Sequence, residues 1–278
     1  MSALYPDRPK ALVPIAGRPF LERQLEWLAA GGISRVHIAA GYMADSLLDW
    51  LRGRGEPLEK SVQCSVFGVQ RLSTIHQSPF TVSLSREPVP LGTGGGLKFA
   101  EPWIESDPFL VLNGDSLLPN LDFPMIGKKS ADFSNDWKKQ GEKFPMIGKN
   151  SEKVSNDWKI PEAVFPMIGK LPPCLIMVTQ IEEAGRYGTV EFDGQRRVTA
   201  FREKEKRQGG WVNSGVYLLP RILLAALDPE VPLSLETDVF PELARQGRLL
   251  AFPAPPPLLD MGTPEGLEAM EDFFKTGG

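Results

Sequence analysis

Two aspartates in this 278-residue chain each close an apolar run and precede a turn: Asp115 in VLNGD and Asp260 in PLLDMG. Two carboxylates brought together at strand ends would repel one another unless a cation lay between them, and hard oxygen ligands suit Mg²⁺. Each aspartate alone reads equally well as a helix N-cap or a turn residue. Two lysines beside turns supply the opposite charge, Lys10 in RPKALVPIAG and Lys204 in FREKEKR. Ammonium groups so placed can neutralise phosphate oxygens, although a solvated surface lysine is the plainer reading of either. The glycines Gly92, Gly94, Gly95 and Gly96 in PLGTGGGL form the third feature. They do not make a Walker A loop, because Lys98 follows Leu97 and precedes Phe99, and they do not make the dinucleotide pattern, because Leu97 occupies its third glycine position. What remains is a backbone able to pass close to a flat ligand, or a tight strand-to-helix turn.

The elements that must position these residues read as alternating strands and helices. RPFLERQLEWLAAGG places Phe20, Leu21, Leu25 and Leu28 at helical spacing and stops at Gly31 and Gly32, which predicts an amphipathic helix. RVHIAA follows as a short buried strand, Gly41 and Tyr42 turn the chain, and ADSLLDWLRGRG gives a second helix. PFTVSLSRE reads as a strand, the glycine cluster leads toward a helix, and Phe109–Leu112 are wholly apolar with the polar NGDS at their carboxyl end. Ligands of open α/β sheets bind outside the carboxyl ends of strands, so Asp115 falls where chemistry is expected. Further on, CLIMVTQIEE is a strand, GTVEFDGQRRVTAFREK a hairpin turning at Asp193 and Gly194, and WVNSGVYLL another strand. The βα order implies a mostly parallel sheet.

With 42% hydrophobic and 24% charged residues, the chain can bury a substantial core. A net charge of −4 argues against a mainly electrostatic attachment to nucleic acid or to an anionic membrane. Cys64 and Cys174 stand far apart and are read as structural, and only His37 and His76 are available beside them, so a zinc site is poorly supplied and a metal would rest on carboxylates. No 18-residue apolar run and no signal-peptide pattern is present in the sequence. A cytoplasmic setting follows as the expectation.

One stretch stands apart. FPMIGK begins at Phe123, Phe144 and Phe165, and SNDWK at Ser134 and Ser155, so both recur every 21 residues. A solenoid needs three full units, and here there are two and a fraction, with Pro and Gly inside each apolar run. The block, residues 123–170, is therefore expected to be a surface insertion between two halves of one domain, residues 1–122 and 171–278.

Taken in order, RPKALVPIAGRPFLERQLEWL, PLGTGGGL, FLVLNGDSLL, RYGTVEFD, FREK, WVNSGVYLL and DMGTPEGLEAM resemble the sugar-1-phosphate nucleotidylyltransferases. Within that family the run RPFLERQLEWL and SLETDVFPEL are most similar to guanylyltransferases acting on D-glycero-D-manno-heptose 1-phosphate, with those acting on mannose 1-phosphate close behind. The resemblance implies a Rossmann-like nucleotidyltransferase fold, a mostly parallel mixed sheet flanked by helices. It also implies that a nucleoside triphosphate, GTP for preference, and a sugar 1-phosphate give a nucleotide sugar and pyrophosphate with Mg²⁺. On that basis Lys10 contacts phosphate near the transferring group, Gly92, Thr93 and Gly94 lie against the base, and Asp115 with Asp260 holds the metal. Gly188, Glu203 and Asn213 face the sugar, and Lys204 its phosphate.

One departure bears on all of this. Family members carry a strand and a G-G-x-G-T-R-L loop upstream of the Pro-Lys pair, and this sequence has no such loop in the nine residues before Lys10. Against the resemblance, either the true start lies upstream of Met1, or the chain lacks the triphosphate loop and the first strand of the sheet and its activity is impaired as written. The alternative is a non-catalytic protein that binds a nucleotide sugar or a sugar phosphate.

Overall fold

The computed structural model describes residues 5, 7–53, 58–59, 73–77, 80–126, 172–182, 187–202, 209–228 and 231–277. The chain enters through a 3₁₀ turn at Lys10–Leu12 and a small antiparallel pair, β1 (Pro14–Ile15) with β2 (Arg18–Pro19). Helix α1 (Phe20–Ala30) begins directly after Pro19, whose fixed φ suits a helix entry, and ends where Gly32 takes a φ of +81°. Its buried face is Phe20, Leu21, Gln24, Leu25 and Leu28, the expected apolar stripe with one polar exception. Strand β3 (Arg35–Ala40), α2 (Ala44–Gly53), β4 (Leu58–Glu59), β5 (Ser73–Gln77) and β6 (Phe80–Arg86) complete a four-stranded sheet in the order β3-β6-β5-β4. Helix α3 (Gly92–Phe99) leads to β7 (Phe109–Leu112) and β8 (Ser116–Leu117).

The second part contains β9 (Cys174–Ile181), the hairpin β10 (Thr189–Phe192) and β11 (Val198–Arg202), and the ten-residue β12 (Gly210–Leu219). A single π-helical turn at Leu235–Val239 runs into α4 (Phe240–Arg245), followed by β13 (Leu249–Pro253), β14 (Leu259–Asp260) and α5 (Pro264–Lys275). Strand β12 is the hub. It pairs antiparallel with β9 on one side and with β10 and β7 on the other, while β13 adds to β9 in parallel. The sheet is mixed, but its parallel share is smaller than the βα order suggests: parallel ladders join β3 to β6 and β9 to β13, and short turns make β5–β6 and β10–β11 antiparallel.

The main core packs β9, β12, α4 and β13 together, with Ile176, Val178, Tyr217, Phe240 and Leu249 all sealed from solvent. Burying each such side chain contributes about 1.5–3 kcal/mol. A second cluster joins α1, α2, β3 and β6, and the side chains of Leu110 and Leu112 from β7 reach both that cluster and a third one. Residues from both halves of the chain thus meet within the first and third clusters.

RVHIAA is less buried than its composition suggests, for only Ala40 is sealed. The cause is an open edge. Among the described residues β3 pairs only with β6, and β7 only with β12. Both strands line, along their whole length, one cavity of about 2030 Å³. That is well beyond the several hundred Å³ of an ordinary ligand cleft. Two strand edges without a ladder partner among the described residues thus border one cavity.

The repeat block begins differently from the expected surface excursion. Phe123 lies 4.7 Å from the Trp27 ring, a Cβ at Gly31 would overlap it, and Ile126 is 3% exposed. The start of the first FPMIGK copy is therefore a core element, tied down by the Met125 amide donating to Asp122 Oδ1 at 2.9 Å. The later copies lie outside the described residues.

His37, on β3, is held by Ser83 Oγ at 2.8 Å and Ser85 Oγ at 2.9 Å and stacks on Trp103. Burial lowers its pKa to about 4 from an ordinary 6.5. Because the folded value is depressed, the stability this neutral ring contributes is complete above pH 6.5 and is lost as pH falls through 4. Replacing His37 by Gln should remove a component of up to about 3 kcal/mol from the fall in stability between pH 6.5 and 4. Urea denaturation of both proteins at the two pH values measures it; identical pH slopes would contradict the assignment.

Candidate active site

The turn after β7 carries Asp115, and three separate parts of the chain converge on it. Lys10 Nζ donates to Asp115 Oδ2 at 3.0 Å, forming an ion pair between groups 52% and 26% exposed. From the carboxyl-terminal side, β14 pairs antiparallel with β8 so that Asp260 lies opposite Ser116, and the Met261 amide donates to the Asp115 carbonyl at 3.0 Å. Asp115 and Asp260 therefore stand on adjoining backbones, although 145 positions separate them in sequence. From below, Gln24 on α1 donates to the carbonyls of Asn113 and Ser116, both at 3.0 Å.

Asp260 is fixed locally. Its Oδ1 accepts from the Gly262 amide at 2.8 Å, and the Thr263 hydroxyl caps α5 by accepting from the Gly266 amide at 3.1 Å. A Cβ at Gly266 would overlap the Asp260 carbonyl, so DMGTPEG is a close backbone packing of β14 on α5 as well as a capped helix start. The pair would suit a hard divalent cation, since Mg²⁺ is commonly held by one or two carboxylates with water and phosphate oxygens supplying the rest, and Asp115 Oδ1 accepts a long 3.4 Å bond from the Ser116 hydroxyl. Among the described residues no group of three or more His, Cys, Asp or Glu converges, so any such ion would need ligands from solvent or substrate.

The glycine cluster has a double role. Gly92 and Thr93 line the same cavity as Lys10 and Asp115. The crowding that demands glycine, however, comes from the protein itself: at Gly92, with a φ of +75°, a Cβ would lie 2.6 Å from the Leu233 carbonyl, and at Gly96 one would lie 2.5 Å from Glu87 Oε1. The amides of Gly94 and Gly95 both donate to the Leu233 carbonyl, at 2.7 and 3.1 Å. These two helix-start donors are thus engaged internally. Gly94 is buried and faces Leu233, so of the three expected base contacts the structure brings Gly92 and Thr93 to the cavity and leaves Gly94 behind them.

Thr93 opens a polar chain that runs to β12. Its hydroxyl accepts from the Leu235 amide at 2.8 Å and donates to Glu236 Oε2 at 2.7 Å. Tyr217 donates to Glu236 Oε1 at 3.1 Å and accepts from Asn213 Nδ2 at 2.9 Å. Burial first, and then the Glu236 charge, raise the Tyr217 pKa well above its ordinary value, so the phenol stays protonated and keeps donating. Glu236 was not singled out by sequence reasoning; its signal was position in the run SLETDVF, after a serine that caps the following turn. Gln24 was also missed, because it sits at an apolar position of an amphipathic helix.

Asn213 lies where β12 bulges between Asn213 and Tyr217. Its Oδ1 accepts from the Gly215 amide at 2.9 Å. Gly188 is one step beyond the Thr189↔Val212 pairing and thus next to Asn213 across the ladder. Strand β11 ends at Arg202, opposite Thr189. Glu203 and Lys204, which follow directly, lie outside the described residues, as does Cys64. Cys174 is fully buried and burial pushes its thiol up to about 12, which makes it the inert core residue expected. No helix among the described residues is long and apolar enough to cross a membrane.

Gly215 joins the two halves of the site. Its φ is +73°, its carbonyl accepts from the Asn113 amide at 2.8 Å, and a Cβ would fall 2.7 Å from Asn113 Nδ2. Gly215→Ala should therefore lose about 2 kcal/mol or more of stability through left-handed strain and overlap with Asn113. Chemical denaturation tests this, and a loss below about 0.5 kcal/mol would show that the turn relaxes freely.

Against this geometry, comparison with known proteins is informative. A family model described as Nucleotidyl transferase matches residues 169–276. The mannose-1-phosphate guanylyltransferase catalytic subunit beta of Xenopus tropicalis is 27% identical over 261 residues, covering 92% of this chain and 56% of that protein. The chain thus spans little more than half the length of the curated relatives it matches. Among solved structures, HddC from Yersinia pseudotuberculosis is similar with a TM-score of 0.67 and 25% identity, covering 96% of this chain and 91% of that one. Its complex with GMP-PN gives a TM-score of 0.68 at the same identity and coverage.

Proposed function

From a chain whose residues 169–276 match the nucleotidyl transferase family model and which is similar along most of its length to mannose-1-phosphate guanylyltransferases, we propose a transferase that joins a guanine nucleotide to a sugar 1-phosphate, giving a GDP-sugar and pyrophosphate. The sugar phosphate oxygen attacks the α-phosphorus of GTP, a new P–O bond forms there, and the bond to the β-phosphate oxygen breaks as pyrophosphate leaves. No protein nucleophile is needed, so the protein acts by alignment and by neutralising charge. The observation that carries the reading is the Lys10–Asp115 ion pair beside Asp260, on the same cavity as Gly92 and Thr93. Guanine is favoured by the mannose-1-phosphate guanylyltransferase relatives and by the GMP-PN complex of the similar structure. Mannose and a heptose are the proposed sugars. A cytoplasmic setting belongs to the same proposal, and the free buried thiol of Cys174 supports it.

In this reading Asp115 and Asp260 hold Mg²⁺, which when bound neutralises charge on the triphosphate. Lys10, half exposed and paired with Asp115, turns its ammonium to the phosphate at the transferring group. Gly92 and Thr93 border the base, and Gly188, Asn213, Glu203 and Lys204 take the sugar and its phosphate. A protein that merely binds nucleotide sugar is less favoured, since the proteins it resembles are transferases by name.

Incubating the full chain with GTP, Mg²⁺ and mannose 1-phosphate or a heptose 1-phosphate, and following pyrophosphate, tests the proposal. Release should depend on both substrates, and Asp115→Asn or Lys10→Met should lower kcat about 100-fold or more with little change in Tm. Tight GDP-mannose binding without any pyrophosphate release would overturn the transferase reading in favour of the binder.

A further inference from the structure

Helix α1 buries five side chains, and four of them are apolar: Phe20, Leu21, Leu25 and Leu28. The fifth, Gln24, is 6% exposed at a position where leucine would complete the stripe. Burying a primary amide there is unfavourable unless its polar atoms find partners. Its Nε2 finds two, the carbonyls of Asn113 and Ser116, each at 3.0 Å. Those carbonyls are the two ends of the turn Asn113–Gly114–Asp115–Ser116, which no ladder bond of β7 holds, since β7 ends at Leu112. Both amide hydrogens of one side chain therefore clamp the four-residue turn from its buried side.

We propose that Gln24 is the positioning residue of this site: by bridging the Asn113 and Ser116 carbonyls from α1 it fixes the direction in which Asp115 presents its carboxylate to a divalent cation. The inference rests on the reading of Asp115 and Asp260 as the metal pair. Asp115 is also steered by the Lys10 ammonium, by the Ser116 hydroxyl donating to Oδ1 at 3.4 Å and by its carbonyl's bond to the Met261 amide, while the Asn113 amide bond to the Gly215 carbonyl and the Ser116↔Asp260 pairing tie the ends of the turn. Among the described residues nothing comes within 4 Å of a Cβ built at Gly114, so the turn is open there. Without the clamp, two carbonyls lose these donors, the turn is held at its ends but not across its buried side, and the carboxylate pair is less strictly preset for a small ion with strict geometry. A leucine at this position would serve the core equally well; what only the amide supplies is the pair of donors aimed at the turn.

The test is Mn²⁺ binding to the full chain, followed by electron paramagnetic resonance of the free ion and paired with thermal melting. Four variants are compared with the wild type: Gln24→Met, which keeps length and volume; Gln24→His, which keeps one donor; Asp115→Asn; and Val198→Ala, a destabilising change in the distant main core. Mn²⁺ affinity should fall about tenfold in Gln24→Met, fall less in Gln24→His, be nearly lost in Asp115→Asn, and stay unchanged in Val198→Ala at a comparable loss of Tm. Should Gln24→Met fail to fold, Gln24→His carries the comparison alone. Affinity within twofold of wild type in the Gln24 variants, with Asp115→Asn still weakened, would overturn the positioning role while leaving the metal pair intact. Mn²⁺ affinity indifferent to Asp115→Asn would overturn the metal reading and this inference with it.

Discussion

The hydrogen bond from the Asn113 amide to the Gly215 carbonyl is the constraint on which the site depends. It links the end of β7 to the bulge in β12, and the left-handed backbone of Gly215 leaves no room for a side chain against Asn113. On one side of that bond the chain turns to present Asp115; on the other, β12 presents Asn213. If the bulge closed, the register of β12 against β9 would shift by two residues, and Asn213 would keep its face of the sheet but move along the ladder away from its place beside Val178.

A second tie runs through side chains. Thr93, Glu236, Tyr217 and Asn213 form an unbroken polar path from the glycine helix to β12. Both Thr93 and Asn213 are fully engaged within the protein, so a ligand must compete with Glu236, Tyr217 or the Gly215 amide for them. Internal competition of this kind keeps buried polar groups satisfied when no ligand is present. It also places one carboxylate, Glu236, between the regions proposed for base and sugar.

Much of this was legible in the sequence, and the failures have physical causes. The helix α1 and the strands β7, β9 and β12 follow from periodicity and apolar runs, and Asp115 at a strand end follows from the polar NGDS after FLVL. The convergence of Asp260 on Asp115 depends on the β8–β14 pairing, which no local pattern encodes. RVHIAA reads as a buried strand because its residues are apolar, but exposure is decided by the open edge of β3. The glycine cluster reads as ligand-facing because small residues signal close approach, yet the closest approach at Gly92 and Gly94 is that of Leu233. Gln24 is invisible to pattern reading, since helical spacing marks its place as apolar and only the carbonyls of a distant turn explain the amide. The FPMIGK block reads as an insertion by its repetition, whereas its first residues pack on Trp27.

The central claim is that Asp115 and Asp260, brought from opposite ends of the chain, form one metal site beside the glycine helix. A crystal of the protein grown with Mn²⁺ and GDP-mannose tests it most directly, through the anomalous signal of the metal. The account predicts a single strong peak at about 2.2 Å from a carboxylate oxygen of each aspartate, with the diphosphate completing the coordination. Manganese bound elsewhere, with both carboxylates free and the nucleotide sugar still in the cavity, would contradict it.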